Sequence, residues 1–353
     1  MVQIKSIAAF SALAVSALAL SACGDKAGSA GGGARDNITA VGSSTVYPFA
    51  TAVAEAFKAA NPNFKMPTIE STGTGGGFER FCQGVGAATP DIANASRRMK
   101  KKEFDSCAKN GVTDIVEIQV GIDGIALGES NNGPKFQLTQ EDIYKALAAN
   151  PYGKPNTAKT WKDVNPALPA TPISVYGPPS TSGTYDAFKE LILGKGCEAN
   201  ADMKALKDSN KEEFEKTCHT LRGAPEYVEQ GENDNLIIQK LDKNPNSVGL
   251  FGYSYLEANL SKIHGVPLNG VAPEYDAIAS GKYPGARPLY IYVKKAHVGV
   301  IPGLKEYVAE FMKEAGKDGP LVKKGLIVAP DDVTAANVKA ATDLPTLDGS
   351  QLK

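Results

Sequence analysis

The sequence predicts an α/β fold with two lobes, each a sheet covered by helices. Three times a β-branched stretch leads into a turn of serine, threonine and glycine, and then into a segment with helical spacing. The turns are Gly42-Ser43-Ser44-Thr45, Gly73-Thr74-Gly75-Gly76-Gly77 and Ser182-Gly183-Thr184. Repeated strand–turn–helix units are typical of parallel sheets, where the carboxyl ends of neighbouring strands meet at one edge.

The N-terminus has the features of an export signal. Lys5 precedes an apolar run over residues 7–20 that is too short to span a bilayer, and Leu20-Ser21-Ala22-Cys23 closes it. That ending resembles a lipobox, so we expect a lipoprotein signal peptide over residues 1–22 and an acylated Cys23. An ordinary secretory signal cut near Ala22 is the alternative. Both interpretations predict export, and the Gly-, Ala- and Ser-rich residues 23–36 are expected to form a flexible tether.

Length and composition indicate an ordinary globular chain with room for two domains: 42% of residues are hydrophobic, 22% are charged and the net charge is -1. Nothing in this balance indicates nucleic-acid binding, and attraction for an anion must come from local donors. We expect lobe I over residues 37–121 and 250–353, and lobe II over residues 122–249. Two extended runs, 113–127 and 247–255, are predicted to be the hinge strands between them.

Four cysteines remain when Cys23 is set aside, and an even number in an exported chain predicts disulfides. Four cysteines allow three pairings, and loop length alone favours the pairing of sequence neighbours. A zinc site is the alternative, but the paired short spacings of zinc ligands are missing. We therefore expect no metal and no cofactor, and the disulfides Cys82–Cys107 and Cys197–Cys218.

The three turns have the chemistry of an oxyanion site. Helix starts offer free N–H donors, glycine lets the backbone approach a ligand closely, and the helix dipole adds partial positive charge. The catalytic motifs Gly-x-Ser-x-Gly and His-Glu-x-x-His are absent from the sequence, and no Walker lysine follows the glycine run. A binding protein is therefore expected, with no catalytic residues. The alternative is a phosphoryl hydrolase that uses Ser44 or Ser182 as its nucleophile.

Four segments, in this order and spacing, resemble the phosphate-binding protein of bacterial high-affinity phosphate ABC transporters. They are Val41–Pro48, Glu70–Phe78, Asp91–Arg98 and Ser182–Phe188, with weaker similarity over Trp161–Pro166 and Gly249–Tyr253. The resemblance implies a type II periplasmic-binding-protein fold, in which two α/β lobes joined by a two-strand hinge close around phosphate. It also implies delivery of phosphate to a membrane permease that a separate ATPase drives.

Carried over position by position, the resemblance implies phosphate ligands in all four segments. They are Ser44 and Thr45, then Thr74 and Gly75, then Ser96, and from the other lobe Ser182, Gly183 and Thr184. Hydroxyls and backbone amides supply the short charge-assisted donors that a dehydrated phosphate needs. Another tetrahedral oxyanion, such as sulfate or molybdate, would use the same donors and stays an alternative.

The chain departs from the family's pattern at its charged positions. Many relatives have an aspartate after Ala-Ser in the third segment and an arginine shortly before Ser-Gly-Thr. Here the first position is Arg97, and residues 177–181 contain no arginine. We expect Arg97 to supply the fixed charge that faces phosphate, since its planar guanidinium suits an oxyanion. The alternative is that Arg97 pairs with a carboxylate such as Asp91. The candidates for accepting the phosphate proton are Asp123, Asp186 and Asp234.

Overall fold

A computed structural model of the chain describes residues 35–231 and 234–353. The expected signal peptide, Cys23 and nearly all of the expected tether lie outside the described residues, so those interpretations stay predictions. Arg35, near the start of the described part, donates both to the Asp91 carboxylate and to backbone carbonyls beyond β2. Those bonds attach the first described residues to the segment that precedes β3.

The strands of the described residues form a mixed sheet in the order β2-β1-β3-β9-β4-β7-β5-β6, with β8 paired to β4. β1 pairs in parallel with β2 and β3, and β5 pairs in parallel with β6 and β7; the pairs that involve β4 or β9 are antiparallel. The strands are β1 Thr39–Gly42, β2 Thr68–Ser71, β3 Ile92–Ala95, β4 Ile115–Ser130, β5 Val175–Gly177, β6 Tyr227–Glu229, β7 Val248–Gly252, β8 Ile263–Gly265 and β9 Ala286–Lys294.

Helices follow most of these strands and cover the sheet. The α-helices of the described part are α1 Tyr47–Ala60, α2 Gly73–Phe81, α3 Lys101–Lys109, α4 Gln140–Leu147, α5 Trp161–Val164, α6 Gly183–Phe188, α7 Gly194–Cys197, α8 Ala201–Ser209, α9 Lys211–Cys218, α10 Asn235–Lys243, α11 Tyr253–Glu257, α12 Tyr275–Ala279, α13 Leu304–Glu314, α14 Pro320–Lys323 and α15 Asp331–Asp343. A π-helical turn, Lys189–Leu193, joins α6 to α7. Single 3-10 turns span Pro151–Gly153, Lys295–His297 and Gly349–Gln351.

The three predicted strand–turn–helix units are confirmed as β1–α1, β2–α2 and β5–α6. In α1 the apolar residues at helical spacing, Ala50, Val53 and Phe57 among them, are buried against the sheet. Pro48 lies in the first turn of α1, where its missing N–H costs no helical hydrogen bond. Local sequence signals therefore determine these units.

Two hydrophobic cores lie along the long strand β4. Up to Val120 its buried residues pack with α1, β9 and α13, and from Ile122 onward they pack with α4, α5 and β7. A third, smaller cluster lies on the other face of β3 and β9, around Phe81. Trp161 is fully buried in the larger core. The α/β fold is thus confirmed, and the predicted extended run over residues 113–127 is the strand that connects the two cores.

The second strand between the cores is not the one that we expected. Residues 247–255 form β7 and part of α11, and β7 pairs with β4 and β5 beside the larger core, where Leu250 and Phe251 are buried. Instead, β9 runs beside β4 over Ile115–Gly124 and carries the chain back to the smaller core. The predicted run contains a strand, Val248–Gly252, but the hinge role that we predicted for it belongs to β9.

Two disulfides close short loops, as the sequence predicts. Cys82 bonds Cys107 and joins the end of α2 to α3, while Cys197 bonds Cys218 and joins α7 to α9. All four cysteines are buried. The predicted pairing of sequence neighbours is therefore confirmed, and each bridge lies beside a single core.

Candidate functional site

The first two turns and the end of β3 lie together because their strands are parallel neighbours. In register, Gly42 pairs with Ser71 of β2 on one side and with Asn94 of β3 on the other. The Ser43 amide donates to the Asn94 carbonyl over 2.9 Å, and the Thr72 amide donates to the Gly42 carbonyl over 2.9 Å. The three strand ends thus form one connected edge.

Glycine is required where these backbones meet. Gly42 has φ +133°, and a Cβ atom there would lie 2.1 Å from the Asn94 carbonyl oxygen. A Cβ on Gly77 would lie 2.5 Å from the Cα of Gly42, so only glycine lets α2 pack against the end of β1. The glycines of the first and second turns therefore bring two helix starts close to each other.

Thr74 and Ser96, which the sequence places in different segments, are in direct contact. Their hydroxyl oxygens are 3.0 Å apart, and the Ser96 amide donates to Thr74 Oγ1 over 3.1 Å. Thr74 and Gly75 lie in the first turn of α2, where backbone N–H groups have no intrahelical partner. Gly75 is exposed, whereas Ser96 is 7% exposed. The second turn and the third segment thus offer hydroxyl and amide donors at one place.

The first turn uses its two best-covered hydroxyls in different ways. Ser43 Oγ accepts from the Val46 amide over 3.3 Å and so stabilises the turn itself. Thr45, which is 6% exposed, accepts a hydrogen bond at Oγ1 from Arg287 over 2.7 Å. Ser44, between them, is partly exposed.

The third turn begins α6 on the other core. Ser182 is the N-cap residue, and its Oγ accepts from the Thr184 amide over 3.2 Å. Gly183 has open space where a Cβ would be. The structure therefore forms this predicted helix start, but it lies on a different part of the sheet from the first two turns.

Arg287 contacts both the first turn and the segment that follows α6, and sequence reasoning missed it. Its side chain is only 10% exposed, and its guanidinium contacts Thr45 of the first turn through Nη2. Nη1 pairs with Glu190 in the π-helical turn after α6, and Nε lies 3.5 Å from Asp123 Oδ2. A single arginine at the start of β9 carries no motif, so only the pairing of β9 with β4, which places Arg287 opposite Asp123, could have pointed to it.

Of the three candidate carboxylates for accepting a proton, Asp123 is the one beside Arg287. Its Oδ2 is covered and has no hydrogen-bond partner, and the same is true of Arg287 Nε. Burial raises the pKa of Asp123, while the Arg287 charge opposes that rise and Glu190 adds to it. Asp186 pairs instead with Lys189 over 2.8 Å, and Asp234 accepts from the Gly252 amide over 3.1 Å.

Arg97 forms an ion pair with a neighbouring carboxylate. Its guanidinium donates to both oxygens of Glu103, over 2.9 and 2.7 Å, and lies over the Phe78 ring. Asp91, the carboxylate partner that we named as the alternative, pairs with Arg35 and His297. Because Glu103 already neutralises Arg97, the described contacts give its expected ligand role no support, and that role stays a prediction.

A second polar side chain that sequence reasoning missed is the amide of Asn94. Asn94 is 1% exposed, and neither its Oδ1 nor its Nδ2 has a hydrogen-bond partner. Buried polar atoms nearly always have one. Asn94 lies at the end of β3, in register with Gly42. The edge where the first two turns meet therefore holds an amide with unused donors and acceptors.

Two further findings concern metals and membranes. Within residues 35–231 and 234–353, no three His, Cys, Asp or Glu side chains are grouped as a metal ion would require. In the same part of the chain, no helix combines the length and apolarity that crossing a bilayer needs.

Comparison with known proteins gives a consistent family. Residues 27–315 match the PBP superfamily domain. The chain is 34% identical to "Protein SphX" of Synechococcus elongatus, over 79% of this chain and 74% of that protein. It is 30% identical to "Phosphate-binding protein PstS" of Staphylococcus saprophyticus, over 85% of this chain and 83% of that protein. Among solved structures, it is similar to a possible phosphate binding protein from Planctomyces limnophilus, with a TM-score of 0.70 and 29% identity, over 88% of this chain and 99% of that one.

Proposed function

Because the chain belongs to the PBP superfamily and, within it, to the family of the phosphate-binding protein PstS, we propose that it captures inorganic phosphate outside the cytoplasm and delivers it to the permease of an ABC transporter. The phosphate lies between two lobes, one built on each hydrophobic core. The protein acts by binding, and its serines and threonines serve as hydrogen-bond donors rather than as nucleophiles.

One observation carries this proposal: the nearly buried Arg287 contacts the first turn at Thr45 and the segment after the third turn at Glu190. A guanidinium that contacts the first helix start and the segment after α6 supplies the positive charge that a near-neutral chain must provide locally for an oxyanion. Arg287 therefore takes the place of the arginine that many relatives have before Ser-Gly-Thr.

The proposed ligands come from both sides of Arg287. Hydroxyls and amides of the first two turns and of β3 face phosphate from lobe I, and the start of α6 faces it from lobe II. We assign Ser44, Thr45, Thr74, Gly75, Ser96, Ser182, Gly183 and Thr184, with Arg287 as the fixed charge in place of Arg97. Asp123 is the proposed acceptor of the phosphate proton, since its covered Oδ2 has no other hydrogen-bond partner.

The lobe boundaries follow the two cores. Ile122 begins the larger core on β4, and residues of β7 and β8 belong to that core as well. This packing supports a lobe II that continues beyond residue 249 to the loop before β9. Lobe I then consists of the N-terminal part of the chain and the part from β9 onward.

Titration calorimetry on the ligand-free mature protein tests the function. Phosphate should bind tightly, sulfate poorly and a phosphate monoester poorly, because a closed site with a carboxylate acceptor favours a small, protonated oxyanion. Tighter binding of sulfate or molybdate than of phosphate would identify a different oxyanion as the ligand. Release of phosphate from a chromogenic monoester, lost in Ser44→Ala or Ser182→Ala, would instead support the hydrolase.

Anchoring through Cys23 is a separate part of the proposal, supported by the lipobox-like ending at residues 20–23. Two acyl chains hold a protein at a membrane, whereas one chain gives only marginal binding. The mature protein should therefore fractionate with membranes, and Cys23→Ser should abolish lipid attachment and processing at this site. Intact mass of the mature chain decides the point: an unmodified N-terminal Cys23 or Gly24 contradicts the anchor.

A further inference from the structure

We propose that Glu190 is a built-in competitor of phosphate: its carboxylate pairs with the guanidinium of Arg287, and phosphate binds by taking its place. This inference rests on the proposed function, and it assigns a task to a residue outside the four motif segments. Glu190 contacts Arg287 as an oxyanion would, since a carboxylate and a phosphate use the same guanidinium donors.

The contacts of Arg287 differ in strength. Thr45 is neutral, and its Oγ1 accepts one hydrogen bond from Nη2. Asp123 Oδ2 lies 3.5 Å from Nε and forms no hydrogen bond with it. Glu190 is the carboxylate that forms a direct hydrogen bond, at Nη1. Replacing Glu190 is therefore the step that frees a strong charge-assisted donor for an incoming anion.

The exposure of the two side chains makes this exchange easy. The Arg287 side chain is 10% exposed and the Glu190 side chain is 55% exposed. A displaced Glu190 carboxylate returns to water readily, because more than half of its side chain is already exposed. Arg287 is covered and keeps its contacts with Thr45 and Asp123, so the guanidinium remains fixed while the anion on it changes.

The position of Glu190 in the chain links the exchange to the third turn. Glu190 lies in the π-helical turn Lys189–Leu193, directly after α6, whose start provides the proposed ligands Ser182 to Thr184. Ile192 and Leu193 of the same turn are buried in the larger core and hold the segment firmly. Lys189, the neighbouring cation, forms an ion pair with Asp186 over 2.8 Å, whereas Glu190 pairs with Arg287.

The test compares phosphate affinity by calorimetry in the wild type, Glu190→Gln and a matched control, Glu213→Gln, at one pH and ionic strength. Glu213 is an exposed glutamate on α9 that lies 3.8 Å from Lys216, so its variant removes the same charge away from Arg287. We expect Glu190→Gln to lower the phosphate Kd by up to about fivefold, the range for loss of a half-exposed ion-pair competitor. Glu213→Gln should leave the Kd unchanged.

A second background shows whether the effect passes through Arg287. In Arg287→Met, adding Glu190→Gln should give no further gain in affinity, because the guanidinium for which the two anions compete is gone. The same gain in both backgrounds would overturn the competitor role, as would unchanged or weaker binding in Glu190→Gln when the wild type binds phosphate. Absence of phosphate binding in the wild type would overturn the proposed function together with this inference.

Discussion

Arg287 Nη2 donates a 2.7 Å hydrogen bond to Thr45 Oγ1, across 242 residues of sequence. The bond joins β9, which returns from the larger core, to the first turn, which leads into helix α1 of the smaller core. It places a positive charge next to the first helix start without a basic surface. The charge of the site therefore depends on how β9 pairs with β4, which no local motif encodes.

Removing the Arg287 charge should weaken phosphate binding much more than removing that of Arg97. We expect Arg287→Met to cost about 2–5 kcal/mol of binding free energy, the usual cost of truncating a buried partner of a charged ligand. Arg97→Met should have little effect, because Glu103 already pairs with Arg97. Calorimetry measures both affinities.

A control for folding belongs with that comparison. Arg287→Met leaves Asp123 and Glu190 without their cation, so the double variant Arg287→Met/Asp123→Asn, which keeps the net charge of these groups as in the wild type, shows whether repulsion between them disturbs the fold. Circular dichroism and thermal unfolding verify the fold of each variant. A large loss of phosphate affinity in Arg97→Met, with unchanged affinity in Arg287→Met, would instead identify Arg97 as the ligand.

Asp123→Asn should reduce the preference for phosphate over sulfate. An ionised Asp123 accepts the proton of a phosphate oxygen and repels a fully ionised sulfate, whereas an asparagine amide can donate to either anion. We expect phosphate to bind more weakly and sulfate more tightly in the variant. Parallel titrations with the two anions measure the ratio, and an unchanged ratio would move the proton acceptor to another group.

The sequence predicts what is local and misses what depends on long-range pairing. The three helix starts were predictable because each has its own turn residues and its own helical stripe, such as Ala50, Val53 and Phe57 in α1. The disulfide pairing followed from loop length. Arg287 was missed because its partners Thr45, Asp123 and Glu190 come from three distant segments.

Two other differences have the same origin. Residues 247–255 would be apolar both in a strand that crosses between lobes and in a strand within one lobe. Only the pairing of β7 with β4 and β5 distinguishes these two positions. Arg97 lies in the third of the family-like segments, but Glu103 at the start of α3 accepts hydrogen bonds from its guanidinium and from the Lys100 amide. The family-like segment identifies Arg97 by its position in the sequence, but the side chains that lie near Arg97 in the fold determine which group its charge pairs with.

The Cys197–Cys218 disulfide should stabilise the fold without contributing to binding. The bridges close loops of 25 and 21 residues, for which chain entropy predicts about 3 kcal/mol each. The double variant Cys197→Ala/Cys218→Ala should lower the free energy of unfolding in urea by about that amount. Phosphate affinity at low temperature should be unchanged, because no proposed ligand lies in the bridged loop. A large loss of affinity in a folded variant would connect this bridge to the site.

Lys294 should make the stability of the fold rise with pH above neutrality. It is fully buried, its Nζ donates to Thr89 Oγ1 over 2.7 Å, and burial lowers its pKa from 10.5 to about 7, with Asp91 opposing and Arg35 reinforcing the shift. Between those two values the unfolded chain binds a proton that the folded chain does not, so the free energy of unfolding increases as pH rises through this window.

Lys294→Met isolates this contribution. The variant should be more stable than the wild type below about pH 7, where folding must bury the charged ammonium, and its advantage should shrink as pH approaches 10. Thr89 keeps partners in the variant, since its hydroxyl also lies within hydrogen-bond distance of the Gly84 and Gly86 carbonyls. Urea unfolding of both proteins across pH 6 to 10 gives the difference directly. A difference that does not change with pH would mean that Lys294 stays protonated in the fold, held by the Asp91 charge and the Phe81 ring below it.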